Sequence, residues 1–242
     1  MKPIKYVLIL FFCFTIISCG DDSSSSDSSS NTGTGTGTGP VITEVTVVTT
    51  PTNDSTPNYS FSSTKAGTIS YGGSCSSSET SATSGSNTIT LDNMSDATYS
   101  NCTIIVTDSD GNASNTLAIT PFSVDATTPF VISTSPTDNK TSVSETDNIS
   151  ITFSEAMDNT SVTTNSSGTG CTGTFQVSSD SFSTCVQMSS SPSVPNSDNL
   201  TFSIKPSSSL SYSTTYKIKV TTGVEDLNGN SMSSDNETVN GF

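Results

Sequence analysis

From Val41 onward the apolar residues come in short runs that alternate with small polar ones, and no stretch shows a convincing helical period. A period of two places alternate side chains on one face of a strand. Thr68-Ile69-Ser70-Tyr71, Thr88-Ile89-Thr90-Leu91, Cys102 to Thr107, Leu200 to Ile204, Leu210-x-Tyr212-x-Thr214 and Tyr216 to Val220 follow this rule, and Gly, Pro, Asn and Asp bound the series. In the last run Tyr216, Ile218 and Val220 are assigned to a core and Lys217 and Lys219 to solvent. The chain is only 30% hydrophobic, which with its charge makes disorder the competing reading. The apolar residues are grouped rather than scattered, so the pattern predicts an all-β fold of short strands packed as sandwiches.

The N-terminus follows a different rule. Lys2 and Lys5 precede an apolar run from Tyr6 to Ile17 interrupted only by Thr15. That run suits a signal-peptide core and is too short for a membrane-spanning helix, which needs roughly 20 residues. It ends in Ile16-Ile17-Ser18-Cys19-Gly20, which resembles the lipobox of bacterial lipoproteins. The resemblance implies cleavage before Cys19, a thioether to diacylglycerol on its thiol and acylation of the new amine. Gly20 is unlike an inner-membrane retention signal, so a cell-envelope location at the outer membrane or cell surface is expected. Residues 19–40 then read as a disordered tether of Ser, Thr and Gly, with an end-to-end distance of about 25 Å.

Charge and composition exclude several functions. Lys+Arg number 7 against 22 Asp+Glu, for a net charge of −15. Nucleic-acid binding needs a basic footprint that is missing here, and attraction to anionic lipid is equally disfavoured, so contact with a membrane is expected to go through the lipid anchor. With no His, there is no Ser-His-Asp or Cys-His centre and no His-ligated zinc. Of the six Cys, Cys13 leaves with the signal and Cys19 takes lipid. Cys75, Cys102, Cys171 and Cys185 remain, and in an exported chain an even number reads as disulfides. Four cysteines allow three connectivities; pairing Cys75 with Cys102 and Cys171 with Cys185 keeps each bridge local.

Two stretches carry a family resemblance. Asp96-Ala97-Thr98-Tyr99, Asp108-Ser109-Asp110-Gly111-Asn112 and Val124-Asp125-Ala126-Thr127-Thr128-Pro129 resemble tandem bacterial immunoglobulin-like repeats. There a tyrosine opens a late strand, an Asp-x-x-Gly-Asn turn joins the last two strands, and a Val-Asp-x-Thr-x-Pro phrase links domains. Tyr99 then resembles a tyrosine corner, although it precedes Cys102 by three residues rather than two. Ser135-Pro136, the Phe153 to Asp158 phrase, Thr214-Thr215-Tyr216 and the Asp226 to Asn230 turn resemble the SbsA-type bacterial Ig-like domain. The organisation expected is a lipoprotein signal peptide over 1–18, the lipidated linker over 19–40, and two tandem immunoglobulin-like β-sandwiches over 41–128 and 129–242. The stretch from Cys171 to Cys185, which that family does not require, is expected to be an added disulfide-closed hairpin.

Candidate sites are few. Asp108, Asp110 and Asn112, and again Asp226, Asn228 and Asn230, have the alternate spacing of calcium loops but lack the closing Glu of the full motif. Hairpin turns that use glycine for positive φ explain the same residues more simply. Asp125 is placed where it could add a carboxylate from the domain junction. Glu155 and Asp158 are a formal acid/base pair, read here as a strand end, and the Asn-x-Ser/Thr triplets at Asn53 and Asn199 follow from composition. No catalytic residue, metal site or cofactor is expected. The predicted function is non-enzymatic display of Ig-like domains for adhesion or envelope structure, with a protein or glycan ligand. A carbohydrate-binding or carbohydrate-active accessory protein is the alternative, to be recognised by a concave strip of exposed aromatics.

Overall fold

All but one of the alternating runs pair with another, because a strand buried on one face leaves its backbone groups to be met by neighbours. The computed structural model describes residues 37–242; the expected signal peptide, Cys19 and most of the expected linker lie outside the described residues. Among the described residues all regular structure is strand. The N-terminal half contains β1 (Ile42–Thr46), β2 (Asn58–Ser63), β3 (Gly67–Gly72), β4 (Ser81–Ala82), β5 (Gly85–Thr90), β6 (Ala97–Tyr99), β7 (Thr103–Thr107), β8 (Leu117–Ala118) and β9 (Phe122–Val124). Its sheets run β1-β2-β5 and β4-β3-β7-β8, with β6-β9 as a separate pair. Tyr59, Phe61 and Ile89 from the first sheet meet Ile69, Ile104 and Val106 from the second in one core.

The C-terminal half contains β10 (Val131–Ser135), β11 (Ile149–Phe153), β12 (Phe175–Ser178), β13 (Thr201–Ile204), β14 (Lys217–Val220) and β15 (Asn236–Glu237). The sheets are β10-β11-β13 and β12-β14-β15. Ile149, Ile151, Phe153, Phe202 and Ile204 from one face Phe175, Val177, Ile218 and Val220 from the other in a second core. Phe153 and Phe202 meet edge to face with ring centres 5.9 Å apart, a geometry the ring quadrupoles favour. On the outer face of β14, Lys217 and Lys219 both reach Glu237, at 3.4 and 3.1 Å. The expected alternation therefore holds in β14 residue by residue.

Three expectations need correction. Cys171 to Cys185 is not a peripheral hairpin: β12 lies within it and pairs with β14. All four β12 residues are buried, since Gln176 donates to the carbonyls of Cys171 and Gly173 and Ser178 bonds Asp180. Polar residues satisfied in this way can occupy a core strand. Second, the Leu210 to Thr214 alternation forms no strand, and Tyr212 stands 83% exposed. Third, Tyr99 closes β6 rather than opening β7. Its hydroxyl donates to the Ser95 carbonyl at 2.8 Å, an upstream bond of the tyrosine-corner kind, and its ring stacks on Phe122.

Sulfur joins Cys75 to Cys102 and Cys171 to Cys185. Each bridge ties a loop to its own half. Cys102 directly precedes β7 and belongs to the N-terminal core, while Cys185 is itself buried.

Candidate functional site

The two Asp-x-x-Gly-Asn segments are the same local structure built twice. In each, one oxygen of the leading aspartate accepts two backbone amides: Asp110 and Asn112 on Asp108 Oδ1, Asn228 and Asn230 on Asp226 Oδ1. The glycine takes φ +85° in both, a conformation that costs glycine little. The closing asparagine returns its side-chain amide to the aspartate, and its carbonyl accepts the aspartate N–H. Both aspartates are buried. The bonds that calcium would take in a loop are thus largely used to fold the turn.

What differs is the second aspartate oxygen. Asp108 Oδ2 lies 3.1 Å from the Lys65 ammonium. The Asn112 backbone amide, against the cost of burial and helped by Lys65, holds the Asp108 carboxyl below its usual range. Asp226 instead meets more negative charge. It shares the junction between the halves with Asp125 and Glu155, one oxygen of each lying within 4.8 Å of the others. Asn228 donates to Asp125 Oδ2 at 2.5 Å, Asn230 donates to the Asp125 carbonyl, and Asn53 donates to the Gly229 carbonyl. These bonds fasten the C-terminal turn against the N-terminal half.

Glu155 reaches this cluster because Met157 bridges Asp226 across a short antiparallel contact at the end of β11. Its sequence neighbour Asp158 does not join it: Asp158 Oδ1 accepts the Thr160 amide and hydroxyl. The acid/base pair read from the sequence is therefore not assembled. Asp125 does meet carboxylates from the C-terminal half, as its position suggested, whereas the partnership of Glu155 with Asp226 depends on tertiary pairing and has no local signal. Among the described residues these three carboxylates are the set close enough to share a cation. A calcium ion takes six to eight oxygens, so with one oxygen from each residue they supply no more than half of its shell.

Burial, then the charges of Asp226, Asp125 and Asp96, push the Glu155 pKa up from 4.5. A carboxyl whose pKa is raised on folding binds its proton more tightly in the folded state. Stability therefore falls as pH climbs from the ordinary glutamate value through the raised one. Glu155→Gln is expected to stabilise the protein at pH 7 by up to about 1 kcal/mol, the scale of partly exposed charge pairs. That gain should shrink as pH falls below 4.5, where Glu155 is protonated in both folded and unfolded protein. Thermal melts of both proteins across pH 3 to 8 check this, and a pH-independent difference would contradict it.

Paired antiparallel sheets around one core, with loops gathered at either end, place the C-terminal half in the immunoglobulin-like class of β-sandwiches. Residues 125–240 match the family model described as a bacterial Ig-like domain. No curated protein matches the chain. The matched family is one of Ig-like domains and not of enzymes, which points to a surface or structural protein. No helix among the described residues is long and apolar enough to cross a membrane.

Proposed function

We propose that this protein is a lipid-anchored, non-enzymatic component of the bacterial cell envelope that presents two Ig-like domains for adhesion or structural display. The Ig-like match over 125–240 carries the reading. The N-terminal half adds to it, with its own core and its own Asp-x-x-Gly-Asn turn. The charged start, apolar run and Ser18-Cys19 pair supply the anchor, with the outer membrane or cell surface as destination. Several acyl chains on one residue make such attachment stable, where a single chain binds only marginally. Nucleic acid is not an expected partner of a chain with net charge −15.

The test is Cys19→Ala. The wild-type protein is expected to incorporate labelled palmitate and to sediment with membranes, and the variant to take up no label. A wild-type protein that takes up no palmitate, with Cys19→Ala fractionating identically, retires the anchor.

A further inference from the structure

A cleft in the C-terminal half lies at the opposite end of its strands from the acidic junction. It has a volume of about 480 Å³, within the range of small-ligand sites. One wall is the loop from Lys140 to Glu145 between β10 and β11, and the other is the segment from Leu210 to Thr215 before β14. Strand direction fixes its place. β11 leaves the cleft at Ile149 and ends at Phe153, beside Glu155; β14 leaves it at Lys217 and runs toward Asp226. The cleft is therefore at the pole of the C-terminal sandwich that faces away from the N-terminal half.

The floor is rigid. Tyr216 and Phe242 exchange both backbone hydrogen bonds and stack with ring centres 6.1 Å apart. The Tyr216 hydroxyl accepts the Ser211 amide, and Leu210 donates to the Glu145 carbonyl, which ties the two walls together. Above this floor Tyr212 stands 83% exposed. Its phenol faces the Glu145 carboxylate, whose hydrogen bond and charge push the phenol pKa up. Three of the seven non-glycine residues at positive φ sit on or beside these walls: Asn139 at 64°, Ser142 at 59° and Ser213 at 50°. Backbone held in this region is concentrated at ligand clamps.

We infer that this cleft binds a neutral mono- or disaccharide unit of a glycan. An exposed tyrosine offers a flat apolar face for the C–H side of a pyranose ring. Glu145 accepts two sugar hydroxyls through charge-assisted bonds. Wall hydroxyls such as Ser142, Ser211 and Ser213 both donate and accept, which matches a polyol better than a peptide or an apolar ligand. Lys140 and Glu145 are charges of opposite sign on one wall, so the cleft does not select an ionic ligand. The inference stands on the C-terminal half and does not depend on the anchor at Cys19.

The test uses the full chain, purified in detergent, and saturation-transfer NMR with titration calorimetry. The probes are glucose, galactose, mannose, N-acetylglucosamine and N-acetylgalactosamine with their common disaccharides. At least one is expected to bind in the millimolar range or tighter. Tyr212→Ala and Glu145→Gln each weaken it at least tenfold, with melting temperatures unchanged because both groups lie on the cleft surface. Absence of binding across the panel overturns the inference, as does binding that survives both substitutions. Neither result bears on palmitate uptake, so a failure here is distinct from a failure of the anchor.

Discussion

Reducing the folded protein with dithiothreitol is expected to lower its melting temperature by at least about 10 °C. The reasoning is entropic. Cys171–Cys185 closes a sequence separation of 14 and Cys75–Cys102 one of 27. In the chain-entropy account, loops of these lengths each contribute about 3 kcal/mol. A domain's whole stability is about 5 to 15 kcal/mol, and 1 kcal/mol moves the melt of a domain near 100 residues by about 4 to 8 °C. Each bridge is confined to one half, so each half loses its own share. In a chain only 30% hydrophobic, burial has little surplus to offset that loss. An unchanged melt after verified reduction would count against both bridges as stabilising elements.

Phe153→Ala is the second large effect. Phe153 is 1% exposed at the end of the central strand of its sheet and packs on Phe202. Removing a buried ring loses transfer energy and leaves a cavity, costing about 3 to 5 kcal/mol. The loss should fall on the C-terminal half. The N-terminal core has its own aromatic contacts, Tyr59 with Phe61 and Tyr99 with Phe122, and none of these residues shares the cluster around Phe153. Calorimetry of the variant is expected to show two transitions, one shifted well down and the other close to the wild-type position. A single transition displaced as a unit would mean that the two cores unfold together.

These expectations rest partly on what sequence pattern conveys and partly on what it hides. β14 was legible because its two faces differ in chemistry: Tyr216, Ile218 and Val220 are buried and both lysines face outward. β12 was not, because a strand buried on both faces loses its alternation, and Gln176 and Ser178 look like surface residues until their hydrogen bonds are known. The reverse error arose at Leu210-x-Tyr212-x-Thr214, where period two is present but no strand pairs with it. Pattern records what a residue tolerates; pairing depends on the rest of the chain. The same distinction applies to the carboxylates. Proximity in sequence suggested Glu155 with Asp158, whereas the β-bridge at Met157 and Asp226 set Glu155 beside Asp226. The turns themselves were legible, since Asp, Gly and Asn at those offsets encode their own hydrogen bonds.

Both β1 and β10 are outer strands of their sheets, and each carries a register break, between Glu44 and Thr46 and between Val131 and Ser133. Each also exposes large apolar side chains, Val45 and Val47 near one and Phe130 and Ile132 near the other. A straight strand with such a face would recruit the same strand from a neighbouring molecule. A bulge twists the strand and interrupts the row of free backbone groups that recruitment needs. Two molecules that meet at these edges are therefore kept from joining strand to strand.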